Sequence, residues 1–113
     1  MLYILFLVDP PKVLDISSSV TEKETATATF HCYFEGKPWP DVDWFRNDTK
    51  LVIDNSRVTV SKTGDVTNGM STLTIRKLNR TDEGMYKCVA NNTIMSSVSS
   101  EEAKLTVNCK YNI

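Results

Sequence analysis

Apolar and polar residues alternate with a period of two in several short stretches of the chain. The longest run is TATFHCYF at 27–34, in which apolar residues fall at every second position. The same alternation recurs at 41–45, 58–60, 73–75, 85–90 and 103–107. Successive side chains of a strand point to opposite faces, so this period predicts strands with one buried face. No stretch shows the sustained period of 3.6 that indicates a helix.

Turn-forming residues lie between these predicted strands. They cluster at Glu35–Pro38, Asn47–Asp48, Asp54–Ser56, Thr63–Asp65, Asn68–Gly69 and Asp82–Gly84. Glycine and asparagine tolerate a positive φ, and proline fixes its own φ, which suits tight turns. Short alternating strands joined by such turns predict an all-β protein with antiparallel strands in a sandwich or a barrel.

Length and composition limit the architecture further. The chain has 113 residues, a length that fits one compact domain. Hydrophobic residues make up 41% of it, a share too high for a disordered chain. Lys and Arg number 13 and Asp and Glu number 14, which gives a net charge of −1. This balance excludes a nucleic-acid surface that depends on bulk positive charge, and it excludes an acidic tail.

The beginning of the chain differs from its middle. Residues 1–8, MLYILFLV, are uniformly apolar, but a helix needs about 20 residues to cross a bilayer. They also lack the basic segment and the small-residue cleavage site of a secretory signal. We expect an apolar leader or the remnant of an upstream segment at 1–8, with a first strand as the remaining alternative. One domain is expected at 9–107 and a linker to a following module at 108–113.

Two cysteines, a tryptophan and a tyrosine occupy inward positions of the predicted strands. Trp44 lies between Cys32 and Cys88, and Tyr86 lies two positions before Cys88 in the sequence DEGMYKC at 82–88. A buried tryptophan supplies a large apolar area and has one N–H to satisfy. The order and spacing of these residues resemble those of an immunoglobulin domain.

Further segments of the chain narrow the resemblance to one subclass. The sequence LTI at 73–75 is also typical of these domains. Ala90 and Asn92, together with the stretch GKPWPDVDW at 36–44, resemble the intermediate, or I-set, type. The match covers residues 9–107 and implies a two-sheet antiparallel Greek-key β-sandwich.

The resemblance implies structural roles for the core residues. Cys32 and Cys88 would form a disulfide between the sheets, worth about 4 kcal/mol in the loop-closure model. Trp44 and Leu73 would pack in the core, and the Tyr86 hydroxyl would bond to upstream backbone in a tyrosine corner. The alternative is that both cysteines remain buried free thiols, as in cytosolic immunoglobulin-like domains of muscle proteins.

Arg57, Asp82 and Cys109 lie outside the group of core residues, and we predict a role for each. The resemblance implies a bidentate contact between Arg57 and Asp82 at one end of the sandwich, with a structural role. Cys109 is the third cysteine of the chain. We expect its partner outside this chain, and a free linker thiol is the alternative.

Residues that could support catalysis are sparse. His31 is the single histidine, and it falls on the outward side of its strand, where we expect an unpaired surface imidazole. Asp41 and Asp43 face the same way but lack the burial that would separate their pKa values. The cysteines lack the spacing of zinc ligands. We therefore expect no enzyme activity, no metal and no cofactor.

Three glycosylation sequons are present. They are Asn47-Asp48-Thr49, Asn79-Arg80-Thr81 and Asn91-Asn92-Thr93, each at a predicted turn or strand end. An Asn-x-Thr sequence accepts a glycan when it lies on the surface of a secreted protein. We expect glycans on Asn47, Asn79 and Asn91, and an extracellular or cell-surface location.

One outward face of the sandwich is a candidate for binding a protein partner. Alternation places apolar and charged residues together on it: Asp43, Phe45, Met85, Lys87 and Val89. Phe45 is the expected anchor, because aromatic residues are enriched in binding hot spots. The opposite face is expected to be polar and mostly small. The alternatives are loop tips, including 93–97, and contacts between neighbouring modules.

The resemblance implies a non-catalytic protein-binding or adhesion module, one of several tandem domains of a cell-surface or secreted protein. The expected partners are proteins, including homophilic contacts and neighbouring immunoglobulin-like modules, with no nucleic acid and no membrane insertion. The alternative is an intracellular structural module of a muscle or cytoskeletal filament.

Overall fold

The structure, a computed structural model, describes residues 9–92 and 97–109. Ten strands lie in this part of the chain: β1 Asp9–Ile16, β2 Val20–Lys23, β3 Ala28–Lys37, β4 Asp41–Arg46, β5 Thr49–Lys50, β6 Val58–Gly64, β7 Gly69–Ile75, β8 Gly84–Asn91, β9 Val98–Ser99 and β10 Ala103–Asn108. A 3₁₀ turn at Arg80–Asp82 precedes β8. The expected leader at 1–8 and the last four positions of the expected linker, 110–113, lie outside the described residues.

The strands form two sheets that face each other. One sheet has the order β1-β3-β7-β6, and the other has the order β2-β10-β8-β4-β5 with β9 paired to β8. The pairs are antiparallel except for β2 with β10, which are parallel because the chain leaves the first sheet after Ile16 and joins the second at Val20. The predicted all-β two-sheet sandwich is confirmed.

The core lies between the inward faces of the two sheets. In β3, the alternation found in the sequence buries Phe30, Cys32 and Phe34 completely and leaves Thr29 and Tyr33 outside. The main buried cluster draws on both sheets: Ala28, Phe30, Cys32, Trp44, Val58, Leu73, Ile75, Leu78, Tyr86, Cys88, Ala103, Leu105 and Val107. Each large apolar side chain buried in this way stabilises the fold by about 2 kcal/mol relative to exposure.

Alternation in the sequence does not predict the edge strand β1 or the short strands β2, β5 and β9. β1 has the sequence DPPKVLDI, and its ladder with β3 shifts register between Asp9 and Lys12 and again between Val13 and Asp15. Proline cannot donate to a ladder, so it is confined to edges and bulges. The pairing with β3, rather than the local pattern, makes this segment a strand.

The turn expected at Glu35–Pro38 begins later than predicted. β3 continues to Lys37, because Asp9 of β1 pairs with Lys37 and extends the ladder. A Cβ on the buried Gly36 would lie 2.7 Å from the Pro40 Cγ atom. Gly36 therefore permits a close approach between strand and loop, and it does not mark the turn itself.

The two ends of the sandwich carry different loops. The upper end holds the β3–β4 and β6–β7 connections and Asp9, which pairs with Lys37. The lower end holds the 3₁₀ turn and Asn108, which pairs with Lys23. The first and last described strands thus enter and leave the sandwich at opposite ends. The described residues include no helix with the length and hydropathy needed to span a bilayer.

Candidate functional site

A disulfide joins the two sheets at the centre of the core. Cys32 of β3 is bonded to Cys88 of β8, and both residues are fully buried. Trp44 is the ladder partner of Cys88, and its Nε1 atom donates to the hydroxyl of Ser71, the ladder partner of Cys32, at 3.0 Å. The disulfide implied by the resemblance is present, and the buried indole has its hydrogen bond.

Tyr86 closes the lower part of the core. Its ring lies 5.1 Å from that of Phe30, and its hydroxyl donates to the backbone oxygen of Asp82 at 2.6 Å. Burial disfavours the phenolate and raises the pKa of Tyr86 to about 12. The tyrosine corner expected from the resemblance is formed by these atoms.

Arg57 and Asp82 meet at the lower end. The guanidinium Nη1 and Nη2 atoms of Arg57 donate to the two carboxylate oxygens of Asp82 at 2.8 and 3.1 Å. Asp82 also accepts from the backbone N–H of Asn79 at 2.9 Å and so caps the 3₁₀ turn. The hydrogen bonds to Asp82 raise the pKa of Arg57 above its ordinary value. The contact links the residue that precedes β6 to the turn before β8.

The three sequon asparagines are exposed, but their side chains differ in what they contact. The Oδ1 atom of Asn47 accepts from the backbone N–H of Met85 at 2.9 Å. Asn79 caps the 3₁₀ turn, and its Oδ1 atom accepts from the N–H of Thr81 at 3.0 Å. Asn91 ends β8, and Thr93 of its sequon lies outside the described residues.

The five residues of the expected binding face lie on the outer surface of the second sheet. Phe45 pairs with Lys87, Asp43 pairs with Val89, and Met85 lies on the same side of β8. All five are half-buried. The Lys87 ammonium lies 6.0 Å from the Phe45 ring centre and 2.6 Å from Asp48, which raises the pKa of Lys87. Local contacts of this kind reduce the apolar area that Phe45 presents to a partner.

The opposite face is more apolar than expected. Leu14 is 53% exposed and Tyr33 is 40% exposed, and both line a cleft of about 520 Å³ with Met70. The expectation of a polar, mostly small face is therefore wrong at the upper end. Tyr33, like His31, occupies an outward position of the alternating pattern, so its exposure could be predicted from the sequence. The exposure of Leu14 could not, because β1 was not predicted.

His31 has a partner, contrary to expectation. Its Nδ1 atom lies 3.0 Å from the hydroxyl of Thr72 on the adjacent strand β7. The pair forms because His31 and Thr72 are ladder neighbours on the outer face of the first sheet. No group of three His, Cys, Asp or Glu side chains in the described part of the chain is arranged to hold a metal ion.

A second tryptophan, Trp39, lies outside the alternating stretches of the sequence and packs at the upper end. The Trp39 ring lies 5.9 Å from the buried Phe34 ring, and the Lys62 ammonium lies 4.1 Å from the Trp39 ring centre. Asn92, which is buried, donates to the backbone oxygen of Pro38 in the same loop at 3.2 Å. These contacts order the β3–β4 connection.

Comparison with known proteins agrees with this geometry. The family model of the immunoglobulin I-set domain matches residues 11–107. The chain belongs to this family. This I-set domain therefore has a fold that is generally non-catalytic, and its disulfide and paired sheets are the framework of that fold.

Individual relatives of this I-set domain are much longer proteins. It is 34% identical over 98 residues, or 86% of the chain, to the inactive tyrosine-protein kinase 7 of Mus musculus. It is 39% identical over 71 residues, or 63% of the chain, to the muscle M-line assembly protein unc-89 of Caenorhabditis elegans. The chain spans 9% and 1% of these two proteins, respectively.

A solved titin domain has the same architecture as this I-set domain. Titin domain M7 superposes with a TM-score of 0.77 at 25% sequence identity. The superposition covers 89% of this chain and 96% of the titin domain. The match extends over both sheets.

Proposed function

We propose that the chain is a non-catalytic, protein-binding module of a cell-surface or secreted protein, arranged in tandem with other modules. The observation that carries the proposal is the buried disulfide between Cys32 and Cys88. Disulfides form and persist in oxidising compartments and are rare in the reducing cytosol.

The sequons support the same location. Asn47, Asn79 and Asn91 are all exposed, so a glycan on any of them would extend into solvent without disturbing the core. The two backbone contacts of Asn47 and Asn79 use the Oδ1 atom, which leaves the Nδ2 atom of each for the sugar.

The placement of the first and last described strands supports a tandem arrangement. Asp9 lies at the upper end and Asn108 at the lower end, so a preceding and a following module would be joined in series. A rigid sandwich held in such a row presents both sheet faces sideways to partners. Specificity would then reside in outward side chains, since the core supplies only the frame.

The second candidate function is a structural module of an intracellular muscle filament. The similarity to the muscle M-line assembly protein and to titin domain M7 favours it. In that role Cys32 and Cys88 would remain reduced in the cell, and the sequons would be unmodified. The two candidates therefore predict opposite covalent states of the same residues.

Mass spectrometry of the native protein separates the two candidates. The protein is denatured without reductant in an excess of alkylating reagent, so that the buried Cys32 and Cys88 are alkylated if they are reduced. N-glycans are then released enzymatically in ¹⁸O-water, which marks each formerly glycosylated asparagine. We expect a Cys32–Cys88 disulfide peptide and marked Asn47, Asn79 or Asn91. Alkylated Cys32 and Cys88 with three unmarked asparagines would overturn the proposal and favour the filament.

A matched variant controls the glycan assignment. Thr49→Ala removes the Asn47 sequon by changing an exposed residue of β5 and leaves Asn47 itself in place. When the full chain is expressed in a secretory host, the variant should lose the ¹⁸O mark at Asn47 and retain the other marks. Persistence of the Asn47 mark would show that it arises from spontaneous deamidation and not from a glycan.

A further inference from the structure

Leu14 of β1 forms a ridge between two clefts. On one side lies the cleft of about 520 Å³ with Tyr33 and Met70, and on the other lies a cleft of about 360 Å³ that ends at Ser100 and Glu101. Leu14 and Asp15 line both clefts. We call this surface, made by Leu14, Asp15, Tyr33, Met70 and Glu101, the Leu14 saddle.

A β-bulge gives the saddle its shape. The β1–β3 ladder pairs Val13 with Phe34 and Asp15 with Tyr33, so Leu14 has no ladder partner and projects outward. Bulges re-aim side chains in this way. Tyr33 also pairs with Met70 of β7, which places Asp15, Tyr33 and Met70 in one row across three strands. The apolar side chains of the saddle are thus held by rigid strands rather than by loops.

The charged side chains of the saddle are all negative. Of the described residues that line the two clefts, Asp15 and Glu101 carry charge, and both are exposed carboxylates. Neither forms an ion pair with another described residue. One oxygen of Asp15 accepts from the N–H of Ile16 at 2.8 Å, which orients the carboxylate and leaves its other oxygen facing solvent. A basic group is the complementary partner for this pair.

We propose that the Leu14 saddle binds a segment of another protein in which an aliphatic side chain is flanked by Lys or Arg. The aliphatic group would cover Leu14, Tyr33 and Met70, and the flanking cations would face Asp15 and Glu101. The proposal rests on the protein-binding role proposed above and names the chemistry of the partner. A two-fold contact with a second copy is disfavoured, because it would bring the carboxylates of one saddle against those of the other.

A titration with short peptides tests this chemistry on the full chain. The probes are acetyl-Gly-Lys-Leu-Arg-Gly-amide, its acidic counterpart acetyl-Gly-Glu-Leu-Asp-Gly-amide, and acetyl-Gly-Lys-Ser-Arg-Gly-amide without the aliphatic group. Amide chemical shifts are followed by NMR. We expect saturable shifts at Tyr33, Gly69 and Met70, with the basic leucine peptide binding about tenfold more tightly than the acidic one. Raising the salt concentration should weaken its binding by about threefold.

Three variants separate the apolar and the ionic contributions. Asp15→Asn keeps the acceptor for the Ile16 N–H, so it should preserve the bulge and weaken binding of the basic peptide by about threefold. Leu14→Ser should weaken binding of both leucine peptides by about fivefold. Val52→Ser removes an apolar side chain that is 81% exposed and remote from the saddle, so it should leave binding unchanged. Thermal unfolding of each variant verifies the fold.

Several outcomes would overturn the proposal. These are no saturable shift at the saddle, equal binding of the acidic and basic peptides, or shifts centred on Phe45. Concentration-dependent dimerisation with shifts at the saddle would assign this surface to a second copy instead. If the native protein carries glycans and the disulfide but the basic peptide fails to bind, the saddle proposal alone is lost. If the peptide binds but Cys32 and Cys88 are reduced and the sequons are unmodified, the extracellular assignment alone is lost.

Discussion

The Tyr86 side chain is fully buried, and its hydroxyl donates to the backbone oxygen of Asp82. The pKa of Tyr86 is about 12 in the folded protein, above the value of about 10 in an unfolded chain. The folded state therefore binds the phenolic proton more tightly. Its contribution to stability is complete below about pH 10 and is lost as the pH rises toward about 12.

The variant Tyr86→Phe tests this linkage. At neutral pH we expect a loss of about 1 kcal/mol, because the buried carbonyl oxygen of Asp82 loses its partner. The difference from wild type should shrink above about pH 9.5 and then reverse in sign as the pH approaches about 12, since only the wild type loses stability when its unfolded tyrosine ionises. Guanidinium unfolding at several pH values measures it, with the exposed Tyr33→Phe as the control. A difference that stays constant with pH would contradict the assignment.

A double-mutant cycle measures the contact between Arg57 and Asp82. Asp82 is 6% exposed and Arg57 is 33% exposed at their side chains, so solvent screens this pair only in part. We expect a coupling free energy of unfolding of about 1 kcal/mol from Arg57→Ala, Asp82→Ala and the double variant. The pair Lys62–Asp41, 3.9 Å apart with Asp41 89% exposed, is the control and should couple weakly. Equal coupling in both pairs would show that the bidentate geometry adds nothing.

Single residues of the core could be assigned from sequence because their environment follows from strand alternation. Cys32, Cys88 and Trp44 are inward positions of strands, and the structure buries all three. Trp39 was missed because it lies in a loop, where no period predicts burial. Its packing against Phe34 and beneath Lys62 depends on how β3, β4 and β6 converge.

At the scale of elements, the β6–β7 hairpin depends on Gly69. A Cβ at this position would lie 2.6 Å from two atoms of the Phe34 ring. We expect Gly69→Ala to destabilise the protein by about 2 kcal/mol, because the new methyl group would have to displace the fully buried Phe34 ring. Chemical denaturation measures this loss. Ser61→Ala, at an exposed position of β6, is the control, and a similar small effect of both variants would contradict the contact.

The strands that alternation predicted are those with one face in the core, such as β3, β7 and β8. β1 was missed, since its prolines and bulges remove any regular period. Because β1 was not predicted, the sequence pointed to only one sheet face as a candidate binding surface. The face centred on Phe45 could be predicted from the outward positions of its strands. The Leu14 saddle could not, because it forms only when β1 lies beside Tyr33 and Met70.

At the scale of the whole molecule, the disulfide links β3 to β8 across the core. We expect the double variant Cys32→Ala, Cys88→Ala to lose about 4 kcal/mol of unfolding free energy, because the cross-link constrains the unfolded chain. Denaturant unfolding of oxidised samples measures it. Cys109→Ser changes an exposed free thiol and should leave stability unchanged. Unaltered stability of the double variant would show that the remaining core is sufficient without the cross-link.

The alternating pattern and the tripeptides alone predicted antiparallel strands in a sandwich or a barrel, the inward residues of the central strands and the sequons. These properties are local, because a period of two or a tripeptide is complete within a few consecutive residues. The choice of a two-sheet sandwich came from the resemblance to immunoglobulin domains. Tertiary structure decided which apolar residues remain exposed, the pairing of His31 with Thr72 and the formation of the Leu14 saddle. Those features arise where strands distant in the chain become neighbours, and the local pattern of any one strand does not contain the register of its partner.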